Sequence, residues 1–385
     1  MSKKILALVG NGAKTVEFFI YGPEYAFPGN CWSDNPAVYK ELSAGTRLVG
    51  KAEDLLFPGK TRQPEVALLT PQSSQLWDLE DQEIANGLSE ATNTNLIGGR
   101  MEYSAEMFSI YHALQRAAIP ANFVDEKGLT EASLKNYKVL YVTAPDLPKE
   151  SVDGLLAWVC GGGVLVTLPG AGQNDRYHQP LSTLNEATGI APEKAMRELA
   201  DWNNANASGT FQVNGQTLTA YGRREPLKVT GARATNVFED GKPAVTWKAV
   251  GQGRIMHFAF LPGLSYFRAT AQQGVPNRLY AGGAMRDLIA APVRAAKVDL
   301  PVTVSHPVIE APALYSDKGV AVSLLNYGEE GKHAAVQTIE ISVTVDKPVT
   351  RVVSAQQGKL DFKQQDKKVI VNLPFADVDV VKLYY

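Results

Sequence analysis

The chain has 385 residues, of which 45% are hydrophobic and 20% charged, and its formal net charge at pH 7 is −2. This length predicts two or three domains, and the near-balanced charge without Lys or Arg runs argues against a nucleic-acid partner. The two cysteines, Cys31 and Cys160, are too few and too far apart for a disulfide scaffold or a zinc knuckle.

The N-terminus imitates the start of a signal peptide, because Lys3 and Lys4 precede the apolar run 5–9. That run breaks at residues 10–12, short of the roughly 7–15 apolar residues that a signal peptide carries. No later stretch approaches the length of a membrane span. We therefore expect a cytoplasmic protein without a membrane partner.

Residues 1–62 do not resemble the start of a domain. Residues 15–21 predict a buried strand, and a loop rich in aromatic residues, Gly and Pro follows to residue 32. A helix is predicted from Pro36 to about Asp54. One strand and one helix cannot bury their own apolar faces, so this segment must pack on the central domain, on a partner chain or on something missing.

The segment 63–298 alternates between strand and helix patterns. Strands are predicted at 65–69, 121–125, 138–143 and 164–168, and helices at 104–118, near 130 and at 148–161. Such alternation predicts a parallel sheet with right-handed crossovers, that is, a doubly wound α/β domain. A hairpin at 243–260 is expected to extend or cap this sheet, before a helical stretch at 262–293.

After Pro301 the chain has only strand and turn patterns. Strands are predicted at 321–325, 336–345, 349–353, 369–371 and 378–383. Residues 299–385 are therefore expected to form a C-terminal antiparallel β-sandwich, which at about 85 residues lies near the lower size limit for independent folding.

This combination of segments resembles the C-terminal half of the β-galactosidases of glycoside hydrolase family 42. The resemblance rests on the segments Thr15–Tyr25, Ile110–Leu114, Ile119–Glu126, Tyr137–Val142 and Trp158–Val166. It implies the end of a catalytic barrel at 1–62, a trimerisation domain with a class I glutamine amidotransferase-like fold at 63–298, and a C-terminal β domain. It also implies a homo-oligomer, with a trimer as one form, and carbohydrate as a candidate partner; no cofactor is expected.

The family's two catalytic glutamates lie on earlier barrel strands, upstream of this chain. Retaining glycoside hydrolysis needs two carboxyl groups about 5–5.5 Å apart on a rigid frame. With one barrel strand, that frame is missing, so the resemblance implies no glycosidase activity by the family mechanism.

The amidotransferase-like fold prompts a search for a Cys-His-Glu triad, but the turn 143–146 after the third strand has no thiol. Cys160 ends a helix at the opposite edge of the sheet, and we predict that it is a small buried hydrophobe. Ligands in open α/β sheets bind beyond the carboxyl ends of the strands. The catalytic candidates there are Asp146, Asp175 and His178, with Asp175 orienting His178 as a base; the alternative is a solvated or interface loop.

Other polar residues give weaker signals. Glu24, Tyr25 and Trp32, and also Tyr177, are candidates for substrate binding, although an interface explains the first three better. The five histidines lack metal-ligand spacing, so no metal site is predicted. The acidic residues at 78–83 fit an exposed helix face, and Asp125-Glu126 follows a strand and could cap the next segment.

Two hypotheses follow. The first is a glycoside-hydrolase-related protein that lacks the catalytic barrel and acts in oligomerisation or carbohydrate association. The second is a free-standing hydrolase of an ester, lactone or glycoside, with its site at the C-terminal edge of the α/β sheet.

Overall fold

Residues 64–299 form one unit of the structure, and residues 1–63 together with 300–385 form another. The structure is a computed structural model, and it describes residues 1–18, 36–77, 102–127, 129–193, 206–271, 283–306, 309–327 and 337–385. Elements are numbered along the chain, and each unit is described separately.

The described residues of segment 1–63 form three helices, which are α1 (Ser2–Gly10), α2 (Pro36–Gly50) and α3 (Glu53–Leu56). The apolar side chains of Leu6, Leu48 and Leu55 are buried in one cluster with residues of the C-terminal strands. The predicted helix therefore begins as expected at Pro36, but it ends at Gly50, and α3 follows.

The strand predicted at 15–21 is not supported where the structure describes it. Residues 15–18 have neither helix nor strand geometry and are mostly exposed, while residues 19–21 lie outside the described residues. A strand is stabilised by hydrogen bonds to a neighbouring strand, which the residue types of a short segment alone do not supply. The prediction for 15–18 was wrong for that reason.

The central unit is an α/β arrangement. Its elements are β1 (Val66–Thr70), α4 (72–77), α5 (Glu102–Gln115), β2 (Asn122–Asp125), α6 (Glu131–Leu134), β3 (Val139–Val142), α7 (Lys149–Cys160), β4 (Val164–Thr167), α8 (Thr183–Thr188), β5 (Ile190–Pro192), β6 (Ala207–Val213), β7 (Gln216–Tyr221), β8 (Leu227–Val229), β9 (Arg233–Val237), β10 (Pro243–Val250), β11 (Gly253–Phe258), α9 (Pro262–Ala271), α10 (Gly283–Ile289) and α11 (Ala291–Ala295).

Local sequence explains the main elements of this unit. β3 is a continuous apolar run, β4 is apolar up to its last residue, Thr167, and both are buried throughout, as strands covered on both faces should be. α6 begins with a capping box between Thr130 and Ser133. α7 buries a stripe that includes Val152, Leu155 and Val159.

The central sheet has the strand order β2-β1-β3-β4-β11-β10-β9. The first five of these strands are parallel, and β10 runs antiparallel to both of its neighbours. The hairpin predicted at 243–260 is confirmed, and it extends the sheet. The chain reverses its direction of winding between β1 and β3, which in open α/β sheets is the position where ligands bind.

The C-terminal strands are β12 (Val302–Val304), β13 (Ile309–Glu310), β14 (Ala313–Ser316), β15 (Gly319–Asn326), β16 (Gln337–Thr344), β17 (Arg351–Ser354), β18 (Gly358–Leu360), β19 (Phe362–Gln365), β20 (Lys368–Phe375) and β21 (Val378–Tyr384). They form two antiparallel sheets, β12-β16-β20-β19 and β13-β15-β21-β17-β18, with β14 added on β15. Both sheets contribute to one apolar core. The five strands predicted after Pro301 are all present.

Strand β15 is buried along its whole length. Its alternate residues Val320, Val322 and Leu324 belong to the core between the two sheets. Ala321 and Leu325 face the other way and share a cluster with residues of α1 and α3. The N-terminal helices thus cover the second face of this sheet.

We predict that Gly154→Ala destabilises the protein, although alanine favours helices. Gly154 lies in α7, and a Cβ there would come 2.0 Å from the carbonyl oxygen of Leu129. The forced shift should cost about 1–3 kcal/mol and lower the thermal midpoint. Gly50→Ala is the control, because a Cβ on this helical residue meets nothing within 4 Å; equal midpoints for the two variants would contradict the prediction.

Candidate functional site

A backbone clasp joins the segments that follow β3 and β4 at the carboxyl edge of the parallel sheet. The N–H of Gly172 donates to the oxygen of Ala144 over 2.8 Å, and that of Asn174 donates to Pro145 over 3.0 Å. In return the N–H of Leu147 donates to the oxygen of Asn174 over 3.1 Å. These bonds hold the two segments together beyond the strands, so side chains from both converge at one place.

Asp146 lies at the centre of this clasp and is only 2% exposed. Its Oδ1 lies 2.7 Å from Nδ1 of His178 and accepts a hydrogen bond from Nδ2 of Asn174 over 3.1 Å. Its backbone N–H donates to Oγ of Ser74 over 3.0 Å. Burial raises the pKa of Asp146, against the opposing effect of the bonds from Asn174 and His178.

His178 is held in an unusual backbone conformation. Its φ is +61°, in the left-handed region that non-glycine residues seldom adopt and that costs about 1–3 kcal/mol. Its N–H donates to the oxygen of Asp175, and its ring centroid lies 5.0 Å from that of Trp77. Because Nδ1 faces Asp146, Nε2 is the ring nitrogen left to accept a proton, and the side chain is 20% exposed. This is the arrangement of a general base oriented by a carboxylate.

The predicted pairing of Asp175 with His178 was wrong. Oδ1 of Asp175 accepts hydrogen bonds from the N–H groups of Tyr177 and Gln179, over 2.8 and 2.9 Å. Asp175 therefore shapes its own loop, as aspartates do when they bond to the backbone two residues on. Asp146, predicted as a separate candidate, is the partner of His178. Tyr177 is 69% exposed and projects from this loop.

A cleft of about 330 Å³ opens at the same edge of the sheet, next to β1 and β2. Its lining residues are Gln72, Ser73, Leu76, Trp77, Glu126, Lys127, Pro148 and Arg176. Trp77 is fixed by its indole N–H, which donates to the backbone oxygen of Arg176 over 3.1 Å. The cleft therefore has a rigid aromatic wall that adjoins the ring of His178.

Glu126 is a buried carboxylate of this cleft, 2% exposed. Its two oxygens accept the backbone N–H of Ser73 over 3.0 and 3.1 Å, and Oε1 also accepts the Ser73 hydroxyl. Burial raises the pKa of Glu126, although the bonds from Ser73 act in the opposite direction. Sequence reasoning missed Ser73 and Trp77 and noted Glu126 only as a cap; the signal that could have found them is their position just after β1 and β2.

A second buried pair links the start of the loop after β4 to the sheet. Nε2 of His257 lies 2.7 Å from Oε2 of Glu225, and Nδ1 lies 3.0 Å from Oγ1 of Thr167. The other oxygen of Glu225 accepts the N–H of Gly170 over 2.8 Å. Both side chains belong to residues that are at most 4% exposed, so this cluster holds the loop after β4 against the sheet.

Several predicted residues lie elsewhere. Glu24, Tyr25, Trp32 and the acidic residues at 78–83 are outside the described residues. Cys160 is exposed, so the prediction of a buried cysteine was wrong. It is the last residue of α7, one position past Val159, and so lies off the buried stripe of that helix.

In the described part of the chain, no group of three or more His, Cys, Asp or Glu residues is placed to hold a metal ion. No helix there is long and apolar enough to cross a membrane.

Comparison with known proteins identifies the family to which this chain belongs. The family model for the β-galactosidase trimerisation domain matches residues 65–275, more than half of the chain. The chain therefore belongs to the family of the β-galactosidase trimerisation domain of glycoside hydrolase family 42, and the resemblance seen in the sequence is confirmed. No curated protein sequence matched.

Solved structures show the same fold at low sequence identity. A family 42 β-galactosidase from G. stearothermophilus, a catalytic mutant, superposes with a TM-score of 0.66 and 16% identity over 100% of this chain and 51% of its own. An α-L-fucosidase isoenzyme from Paenibacillus thiaminolyticus superposes with a TM-score of 0.65 and 15% identity over 100% of this chain and 57% of its own. For a β-galactosidase from Bacillus circulans sp. alkalophilus, the TM-score is 0.57 and the identity 15%, over 90% of this chain and 45% of its own. The chain thus spans about half the length of these structures.

We predict that Glu126 makes stability depend on pH. Because its folded pKa is raised, the folded state keeps a proton that the unfolded state has lost above the ordinary value of 4.5. The contribution of Glu126 to the free energy of unfolding is therefore complete below its unfolded pKa and is lost as the pH rises through its folded pKa. The thermal midpoint of wild type minus that of Glu126→Gln should therefore fall as the pH rises above 4.5.

The control for this pH series is Glu239→Gln, because Glu239 is exposed in a turn of the same unit. Its difference from wild type should stay constant across the series. A constant difference for Glu126→Gln as well would contradict the prediction.

Proposed function

We propose that this chain acts in oligomerisation, as the assembly part of a glycoside hydrolase of family 42, and joins copies of itself into a homo-oligomer. The observation that carries this proposal is the match of residues 65–275 to the family's trimerisation domain. A trimer is the state that we expect, since that is the assembly for which the domain is described.

The finer parts of the resemblance belong to the same proposal. They are an amidotransferase-like fold for the central domain, a barrel end at residues 1–62, a C-terminal β-sandwich and an association with carbohydrate. The cytoplasmic location expected from the N-terminal sequence is proposed as well. The structures similar to this chain support the association with carbohydrate, because they are β-galactosidases and an α-L-fucosidase.

The surface proposed for assembly lies at the β2 edge of the central sheet. β2 ends the strand order, so one side of its backbone has no partner strand among the described residues. At this edge, Phe108 and Phe123 are 51% and 43% exposed. The ring centroid of Tyr111 lies 5.0 Å from that of Phe123. Exposed apolar side chains beside an open strand edge favour association with another chain.

We predict that Phe108→Glu and Phe123→Glu each shift the oligomer toward monomers. A carboxylate in a buried interface loses its hydration without gaining a partner, which should weaken association by about tenfold or more. Sedimentation velocity at a series of protein concentrations measures the shift. Phe57→Glu is the matched control, because Phe57 is 67% exposed and belongs to the other unit; a monomeric wild type would refute the proposal.

A second candidate function is hydrolysis of an ester, lactone or glycoside. The Asp146–His178 pair favours it, because a carboxylate orients the imidazole and leaves Nε2 on the partly exposed side chain to activate water. The strained backbone of His178 is consistent with a functional position, since such strain accumulates at active sites.

For this second function we predict that His178→Ala and Asp146→Asn lower kcat/KM for p-nitrophenyl esters or glycosides by about 10²–10⁴-fold. Asp175→Asn should leave turnover unchanged, because the Asp175 side chain bonds to its own loop and not to His178. Equal turnover in all three variants and wild type would exclude hydrolysis by this pair.

A further inference from the structure

The cleft beside Trp77 lies at the position where an open α/β sheet offers a ligand site. Ser73 and Trp77 follow β1, Glu126 follows β2, and Pro148 follows β3. β1 and β3 are the adjacent strands between which the chain reverses its winding. The assembly surface proposed above lies on Phe108 and Phe123, and neither residue lines this cleft.

The lining combines two kinds of surface. Trp77, Leu76 and Pro148 supply apolar area, and the indole is held in place through its N–H. Gln72, Lys127 and Arg176 supply hydrogen-bond donors around it. A sugar ring presents matching surfaces, because its C–H groups pack on an aromatic face while its hydroxyls bond at the rim.

Glu126 has capacity left for a ligand. A carboxylate offers about four acceptor positions, and Ser73 fills three of them with its backbone N–H and its hydroxyl. The remaining position is available to accept a hydroxyl of a bound molecule, and Glu126 is already held rigidly by Ser73. A carboxylate fixed in this manner binds without a further ordering cost.

The charges of the cleft favour a neutral ligand. The guanidinium of Arg176 is paired with the carboxylate of Glu150. Lys127 is exposed, and Glu126 places an acceptor-only carboxylate in the wall. An anion would therefore find only the exposed Lys127 as an uncompensated cation and would face the carboxylate of Glu126. Hydroxyl groups can instead donate to Glu126 and accept from Gln72, whose Nε2 also donates to Asp125.

We propose that this cleft binds one neutral pyranose unit of a carbohydrate, with the sugar ring against Trp77 and a hydroxyl donated to Glu126. Its volume of about 330 Å³ is at the small end of ligand pockets and suits a single ring better than a chain. The inference deepens the carbohydrate association proposed above and rests on it for the choice of ligand class; it does not depend on oligomerisation.

The test is a titration of the full chain with D-galactose up to about 50 mM, in which saturation-transfer NMR and calorimetry measure binding. Wild type should bind in the millimolar range, and Trp77→Ala and Glu126→Gln should each weaken binding about tenfold. The matched controls are Trp247→Ala, which removes a half-buried Trp from β10, and Glu239→Gln. Both controls should bind as wild type does.

Gln72→Ala is expected to keep the fold, because Gln72 lies at the partly exposed start of α4 and its side chain gives up only an exposed hydrogen bond to Asp125. It should bind more weakly while its thermal midpoint stays unchanged. Sorbitol, which has no ring, and D-galacturonate, which is an anion, should bind at least tenfold more weakly than galactose. The proposal would be overturned if wild type bound no galactose, or if it preferred galacturonate. It would also be overturned if the control variants lost as much galactose affinity as Trp77→Ala and Glu126→Gln.

Sedimentation of the same samples separates this inference from the proposed assembly. Galactose binding by a monomeric chain would support the cleft and refute the oligomer. A stable oligomer that binds no galactose would refute the cleft and leave the oligomer supported.

Discussion

The hydrogen bonds between residues 144–147 and 172–174 are the constraint on which the candidate site depends. They continue the parallel alignment of β3 and β4 past the point where the strands end. Because the loop is anchored there, Asn174 and His178 reach Asp146, and Trp77 gains a fixed neighbour in the backbone of Arg176. Without this clasp the same side chains would sit on a loop free to turn toward solvent.

Two buried carboxylates at this edge are stabilised in the same way. Asp146 accepts from Asn174 and His178, and Glu126 accepts from Ser73. A buried acceptor without a partner costs about 1–3 kcal/mol, so these bonds keep the edge folded before any ligand arrives. The donors come from segments that follow different strands, which makes the geometry of the edge a property of the whole sheet and not of one loop.

Sequence patterns predicted the elements well where local physics determines them. The apolar runs of β3 and β4, the hairpin of β10 and β11, and the strands after Pro301 depend on residues close together in the chain. The site was less predictable, because its contacts join distant residues: Ser73 and Glu126 are 53 positions apart, and Asp146 and His178 are 32 apart. The sequence analysis paired Asp175 with His178. In the structure the Asp175 carboxylate instead accepts hydrogen bonds from the backbone N–H groups of its own loop.

The two-sided burial of β15 has a consequence for synthesis of the chain. Residues 1–63 leave the ribosome before the whole of residues 64–299, yet they share their unit with residues 300–385. Domains generally fold as units during synthesis, so the central α/β unit can close while Leu6 and Leu55 still lack the strand that they cover. The apolar faces of the N-terminal helices then lack their partner strand through that interval, so the nascent chain carries exposed apolar surface until β15 has been made.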